Sequence, residues 1–277
     1  MAIEKGVANQ LRKFGAAFRE ARERGANESD TVMYLVKFFE EVLEYDSLKG
    51  EISKELAIKD RYCDVALKIE GAVRVLVEGK AAGIKGLVDR NIEQAENYAS
   101  KAGIRWVVLT NGIEWRLYHL SWAENEGITH DLAWEANLLE EIESDIAGLW
   151  EKLSLLSHRS VEGGCLDEFW EHKKALSPGA VVKALFSETV LTAVRRELNR
   201  KAPARLDLQD VFSAVRDVLS KEALMEAGDI SITRRRKKRR KANKAEVNTQ
   251  AASPEAGNAP AVQPCPETVV STEPAAG

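Results

Sequence analysis

The chain has 277 residues, of which 44% are apolar and 30% charged, and its net charge is −4. That is enough apolar material for a packed core, in one sizeable domain or a domain with an appendage. No apolar run approaches the ~20 residues needed to cross a bilayer, and the N-terminal MAIEKGVANQLRKF lacks the apolar segment of a signal peptide. The expectation is a cytoplasmic protein without a membrane partner. Cys63, Cys165 and Cys265, odd in number and far apart in sequence, read as neither a zinc site nor a disulfide framework. The charge is unevenly placed: residues 234–277 carry nine Lys/Arg and four Glu, a net +5, which leaves −9 on the remainder.

Ile3, Val7, Leu11, Phe14, Phe18 and Ala21 recur at helical spacing and predict an N-terminal helix, segment 1–27. Gly25 and Asn27 break it. A second helix is predicted from about Ser29, capped by Asn27 or Ser29, with Glu28 and Asp30 at its positive end. Its buried face is Val32, Leu35, Val36, Phe39, Val42 and Leu43. Residues 51–59 read as a first strand. From Arg61 to Lys80 the chain reads as two strands joined at Glu70-Gly71. The second of these, Val73–Val77, is nearly continuous in apolar character, as in a central strand buried on both faces. It then ends in Glu78-Gly79-Lys80, which a plain core strand has no reason to do.

A helix is predicted from Asp89 to about Ala102, closed by Gly103. Ile92, Ala95 and Ala99 form one face, with Gln94 and Tyr98 one turn apart on another. A strand at Ile104–Leu109, a turn at Thr110-Asn111-Gly112 and a strand at Ile113–Leu120 follow. Strand, helix, strand predicts an α/β fold, a mixed central sheet flanked by helices; residues 28–122 are taken as this domain. Residues 123–233 read as mainly helical, a small subdomain expected to pack on the sheet, with a partner- or DNA-binding role as the alternative. Ile146, Leu149, Trp150 and Leu153 share a stripe, Ser177-Pro178 opens a helix to about Asn199, Pro203 breaks the chain, and Asp207 caps a further helix. Residues 234–277 begin with eight consecutive cations, Arg234, Arg235, Arg236, Lys237, Lys238, Arg239, Arg240 and Lys241, and continue poor in apolar bulk, the composition of a disordered tail.

Side chains alternate along a strand, so Glu78 and Lys80 share a face. Antiparallel pairing of the two strands would bring Asp64 beside Glu78. Two carboxylates ~4 Å apart repel by roughly 4 kcal/mol at an effective dielectric of ~20. A divalent cation turns that repulsion into attraction, and hard oxygen donors suit magnesium, with manganese as a substitute. A neighbouring lysine can orient a water and stabilise charge developing on phosphorus. On residues 61–80 alone, chance charges at strand ends account for the pattern more readily than metal-assisted phosphodiester hydrolysis does.

Taken together, Glu28, Asp64, Glu78, Lys80, Gln94 and Tyr98 resemble the active-site pattern of the PD-(D/E)XK nuclease superfamily. More narrowly, residues 27 to about 120 resemble the N-terminal nuclease domain of type I restriction enzyme R proteins and their stand-alone relatives. The matching stretches are NESDT at 27–31, CDVAL at 63–67, VEGK at 77–80, QAENY at 94–98 and LTNGIEWRLY at 109–118. The resemblance implies a restriction-endonuclease-like sheet and a magnesium-dependent DNA endonuclease of restriction or phage defence, with restriction-system proteins as further partners. It implies Asp64 and Glu78 as metal ligands, the Gly79 carbonyl as a third, and Lys80 serving the attacking water. Glu28 would reach the metal through water or orient Lys80; Glu40 and Glu41 are rivals that lie deeper in the helix. Gln94 and Tyr98 would touch the DNA backbone or steady the site, and Thr110, Asn111 and Gly112 read as turn residues. Cys63 stands where the superfamily has its proline, and Gly79 where many relatives carry a side chain. No Gly-x-x-x-x-Gly-Lys-Ser/Thr loop is present, so this chain carries no ATPase motor. The rival reading is a non-catalytic nucleic-acid-binding or regulatory module that keeps the fold. The cationic run Arg234–Lys241 is expected to be a sequence-blind nucleic-acid tether, against the alternative of a solvated run or one that folds back on the acidic body.

Overall fold

A computed structural model describes residues 3–58, 61–84, 86–88, 92, 96, 99, 100, 102–123, 127–201 and 205–232. The described residues divide into two compact units, the first up to Trp170 and the second from Glu171 to Ile232.

The first unit is built on a six-stranded sheet in the order β1-β2-β3-β4-β5-β6. The strands are β1 (Ile52–Ile58), β2 (Arg61–Ile69), β3 (Ala72–Gly79), β4 (Trp106–Thr110), β5 (Glu114–Ala123) and β6 (Gly127–Asn137). Neighbours pair antiparallel except β3 with β4, which run parallel. A parallel pair needs a crossover, and helical residues 92, 96, 99, 100 and 102 lie in it. The sheet is therefore mixed and helix-flanked, an α/β fold.

Strand β3 feeds two apolar cores through its alternation. Val75 and Val77 join one cluster with α1 (Lys5–Glu23) and α2 (Glu28–Glu41), while Leu76 joins Ile92, Ala99, Val107 and Leu109 on the opposite face. Each fully buried Val or Leu side chain contributes ~1.5–3 kcal/mol, so this strand is held from both sides. The α1–α2 side is aromatic: Trp115 lies 5.0 Å from the Phe38 ring and donates Nε1–H to the Gly112 carbonyl at 3.0 Å.

Helix α1 is no separate appendage. Leu11, Phe14 and Phe18 sit in the main core, and a Cβ on Gly15 would come within 2.8 Å of Ile142 on α3 (Leu138–Ser144). The region read as helical from residue 123 begins instead with β6. The first six residues of that strand are all exposed, Ile128 and Leu132 among them. Pairing with β5 across ten positions, Glu114↔Asn137 to Ala123↔Gly127, holds it as a strand. Helices α3, α4 (Ile146–Ser154), α5 (His158–Glu162) and the start of α6 (Cys165–Ala175) then close the core with Leu138, Leu149, Leu153 and Trp170.

The second unit packs α7 (Pro178–Leu185), α8 (Glu188–Lys201), α9 (Leu208–Val218) and α10 (Lys221–Ala227) around Val182, Phe186, Leu191, Val211 and Ala227. The single helix predicted from Ser177-Pro178 to Asn199 is two. Phe186 turns into this core and packs tilted against Phe212, ring centroids 4.6 Å apart, and the Ser187 hydroxyl accepts the Val190 amide to start α8. Asp207 caps α9 with a reciprocal bond to Asp210, as its position predicts.

Candidate active site

Antiparallel pairing of β2 with β3 in the register Val65↔Val77 sets Asp64 opposite Glu78. The third carboxylate comes from the first residue of α2. Asn27 caps this helix by accepting the Asp30 amide at 2.8 Å, which leaves Glu28 at the positive end of the helix dipole. One carboxylate oxygen from each of Glu28, Asp64 and Glu78 lies within 4.8 Å of the others. Lys80 joins them, with Nζ donating to Glu78 Oε1 at 2.7 Å and to Glu28 Oε1 at 3.2 Å.

Backbone contacts fix where these groups stand. The Gly79 amide donates to Asp64 Oδ2 at 2.8 Å, and the Lys80 amide donates to the Thr110 carbonyl at 2.8 Å. A Cβ on Gly79 would lie 2.9 Å from Val32 and 3.3 Å from Leu35, so the absence of a side chain here lets α2 approach the strand end. The TNG turn is structural throughout. Thr110 Oγ1 donates to the Glu114 carbonyl and accepts the Gly112 amide, and Asn111 Oδ1 accepts the amides of Ile113 and Glu114. Gly112 has φ +85°, and a Cβ there would sit 2.2 Å from the Phe18 ring.

Thr31 is a positioning residue that sequence reasoning missed. Its hydroxyl donates to the Asn27 carbonyl at 2.8 Å and accepts the Ala82 amide at 2.9 Å, tying the start of α2 to the chain just beyond Lys80. The only signal is a threonine four residues after a helix cap, which is common in helices without such a role.

The electrostatics follow from burial. Glu78 is 2% exposed. Burial first, and then the Asp64 charge, push its carboxyl up to about 7, against the opposing pull of Lys80. Burial works to lower the Lys80 ammonium, but its bond to Glu78 and the charges of Glu78 and Glu28 outweigh it and raise the group above its ordinary value. Glu78 Oε2 is buried and has no hydrogen-bond partner among the described residues. An orphaned buried carboxylate oxygen, in a cluster of three carboxylates, is the donor set a hard divalent cation takes. Asp64, Glu78 and Glu28 therefore fit magnesium by donor type and spacing.

Cys63, in place of the proline, is a buried free thiol directed at the Val65 and Val77 carbonyls at 3.2 and 3.5 Å. Burial, and then the Glu78 charge, push it up to about 12, so it is a packing group and not a nucleophile. Glu40 and Glu41 are engaged elsewhere, with Lys37 and Lys13 respectively, and stand outside the carboxylate cluster. Gln94, Tyr98 and the run Arg234–Lys241 lie outside the described residues.

Residues 31–130 match the family model for the type I restriction enzyme R protein N terminus. The matched stretch carries Asp64, Glu78 and Lys80 and begins three residues after Glu28. No curated protein and no solved structure matches the chain.

Proposed function

We propose that the chain is a magnesium-dependent endonuclease that hydrolyses DNA phosphodiester bonds in a restriction or phage-defence setting. The observation that carries this reading is the convergence of Glu28, Asp64 and Glu78 within 4.8 Å, with Lys80 bonded to two of them. Such a cluster costs stability when empty, and a domain kept only for binding has no need of it. The match to a restriction-enzyme domain over residues 31–130 supports the same class.

Asp64 and Glu78 hold the metal, with the Gly79 carbonyl as the further ligand. The metal supplies Lewis acidity at the phosphoryl oxygen and a more acidic water. Lys80, kept protonated by its two carboxylate partners, donates to the attacking water and offsets negative charge growing on the phosphoryl oxygens. Glu28, half exposed, holds the ammonium in place at 3.2 Å. Gln94 and Tyr98 contact the substrate backbone, and Arg234–Lys241 hold nucleic acid without regard to sequence.

The test is cleavage of plasmid, linear and single-stranded DNA with magnesium or manganese, using Lys80→Ala and Asp64→Ala as controls. Metal-dependent nicking that both substitutions abolish supports the reading. Equal products from wild type and Lys80→Ala would overturn it.

A further inference from the structure

The sheet unit is acidic overall. Residues 1–170 hold 21 Lys/Arg against 31 Asp/Glu, a net −10. The helical unit carries a cationic group of its own, on α8 and just beyond it. From Glu188 to Arg205 there are five cations, Arg195, Arg196, Arg200, Lys201 and Arg205, against two acids, Glu188 and Glu197.

Helical spacing sorts these residues. Leu191 points into the unit's core and Val194 packs against it. Thr189, Ala193, Arg196, Glu197, Arg200 and Lys201 are exposed, and Ala193, Arg196, Glu197, Arg200 and Lys201 follow the i, i+3, i+4, i+7, i+8 pattern of one face. Glu197 compensates part of this face, pairing with Arg200 at 3.1 Å and Lys201 at 3.5 Å. Arg195, Arg196 and Arg205 form no ion pair among the described residues. The run Arg234–Lys241 begins two residues past Ile232, the last described residue of this unit. Eight further cations thus follow the helical unit closely along the chain.

We infer that the exposed face of α8 is a docking surface for the phosphate backbone of duplex DNA, with Arg196, Arg200 and Lys201 as its contacts. This rests on the reading that the chain acts on DNA. The face is sequence-blind: it offers charge, with no aromatic side chain among its exposed positions to stack on a base. Small side chains at Thr189 and Ala193 let the N-terminal half of the helix lie close to a strand, while the basic half supplies attraction. The partner is named by charge complementarity, since phosphates are the counterions that displace Glu197 from Arg200 and Lys201.

The experiment measures duplex binding by fluorescence anisotropy from 50 to 200 mM salt in the presence of a chelator. Metal and cleavage then do not enter, and a failed nuclease reading is seen separately in the cleavage assay. The full chain is compared with the triple variant Arg196→Gln/Arg200→Gln/Lys201→Gln, with Glu197→Gln, and with a chain ending at residue 233. Losing three phosphate contacts should reduce the slope of log affinity against log salt by about 2.7. Across this fourfold salt range, wild type should then lose about 40-fold more affinity than the triple variant. Glu197→Gln should bind more tightly than wild type, and the triple substitution should weaken binding in the truncated chain too. The triple and Glu197→Gln variants should keep the wild-type melting temperature, because all four positions are exposed. An unchanged slope in the triple variant overturns the inference, as does failure of Glu197→Gln to gain affinity. Equal binding of single-stranded RNA and duplex DNA overturns the assignment to duplex DNA.

Discussion

The two units spend their charges in opposite ways. In the sheet unit, three carboxylates and a lysine are drawn together and partly buried on one of the largest apolar clusters in the molecule. In the helical unit, the core is a handful of side chains, and the cations of α8 stay in water, two of them paired with an acid in their own helix. Burying like charges needs a rigid frame, because any strand end free to move would let them separate. The double-sided anchoring of β3 supplies that frame. Exposed cations need no frame and contribute little stability of their own. Chemistry is expected where the frame is, and long-range attraction where the charges are free.

The sharpest way to break this contrast is to remove the site's own charges. Lys80→Ala and Asp64→Ala should each reduce single-turnover cleavage by at least ~10²–10³-fold while leaving the far-UV circular dichroism of the fold in place. If Asp64→Ala unfolds the protein, the cluster is a structural element and the contrast fails. Next in size is Gly112→Ala. It forces a Cβ into a φ of +85° and to within 2.2 Å of Phe18, which should cost roughly 3 kcal/mol or more in chemical denaturation. A loss under ~1 kcal/mol would mean that the frame around Trp115 and the TNG turn is softer than drawn.

Glu78 gives a pH test of comparable size. Its folded value, about 7, lies above the ordinary value of 4.5. Between those values the folded state holds a proton that the unfolded state has released. Metal-free stability contributed by this group therefore falls as pH rises from about 4.5 to about 7 and levels off above. The penalty at pH 8 is on the order of 3 kcal/mol. Glu78→Gln should remove it, so the metal-free variant should melt higher than wild type at pH 8 and nearly equal to it at pH 4.5. Magnesium should stabilise wild type at pH 8 and not the variant. A wild-type melting temperature that rises from pH 5 to 8 faster than the variant's would sink this account. The smallest effect is expected from Asn27→Ala. Loss of the cap should cost ~1 kcal/mol and let Glu28 wander from Lys80, lowering cleavage less than Lys80→Ala does. Equal losses from the two substitutions would show that Glu28 does more than hold the lysine.

Much of this was legible in the residues. Alternation along Arg61–Lys80 and the Glu70-Gly71 turn determined that Asp64 would face Glu78 and that Lys80 would share its side, because strand period and hairpin closure are local properties. Asn27 and Asp207 announced two helix starts for the same reason: a cap is read within three residues. What the tertiary structure decided is of longer range. Only packing draws Glu28 across 36 residues to Asp64, by seating α2 on β3 where Gly79 leaves room for Val32 and Leu35. Pairing with β5 holds Gly127–Leu132 as a strand although its side chains are exposed. Only the demand of Phe186 for a core divides the helix expected through Asn199. The bond from Thr31 to Ala82, 51 residues away, likewise has no trace in the local sequence. Periodicity and capping record what a residue's neighbours in the chain require of it. Which distant backbone lies against it depends on where the apolar surface of the whole chain is buried, and that is settled only when the chain has folded.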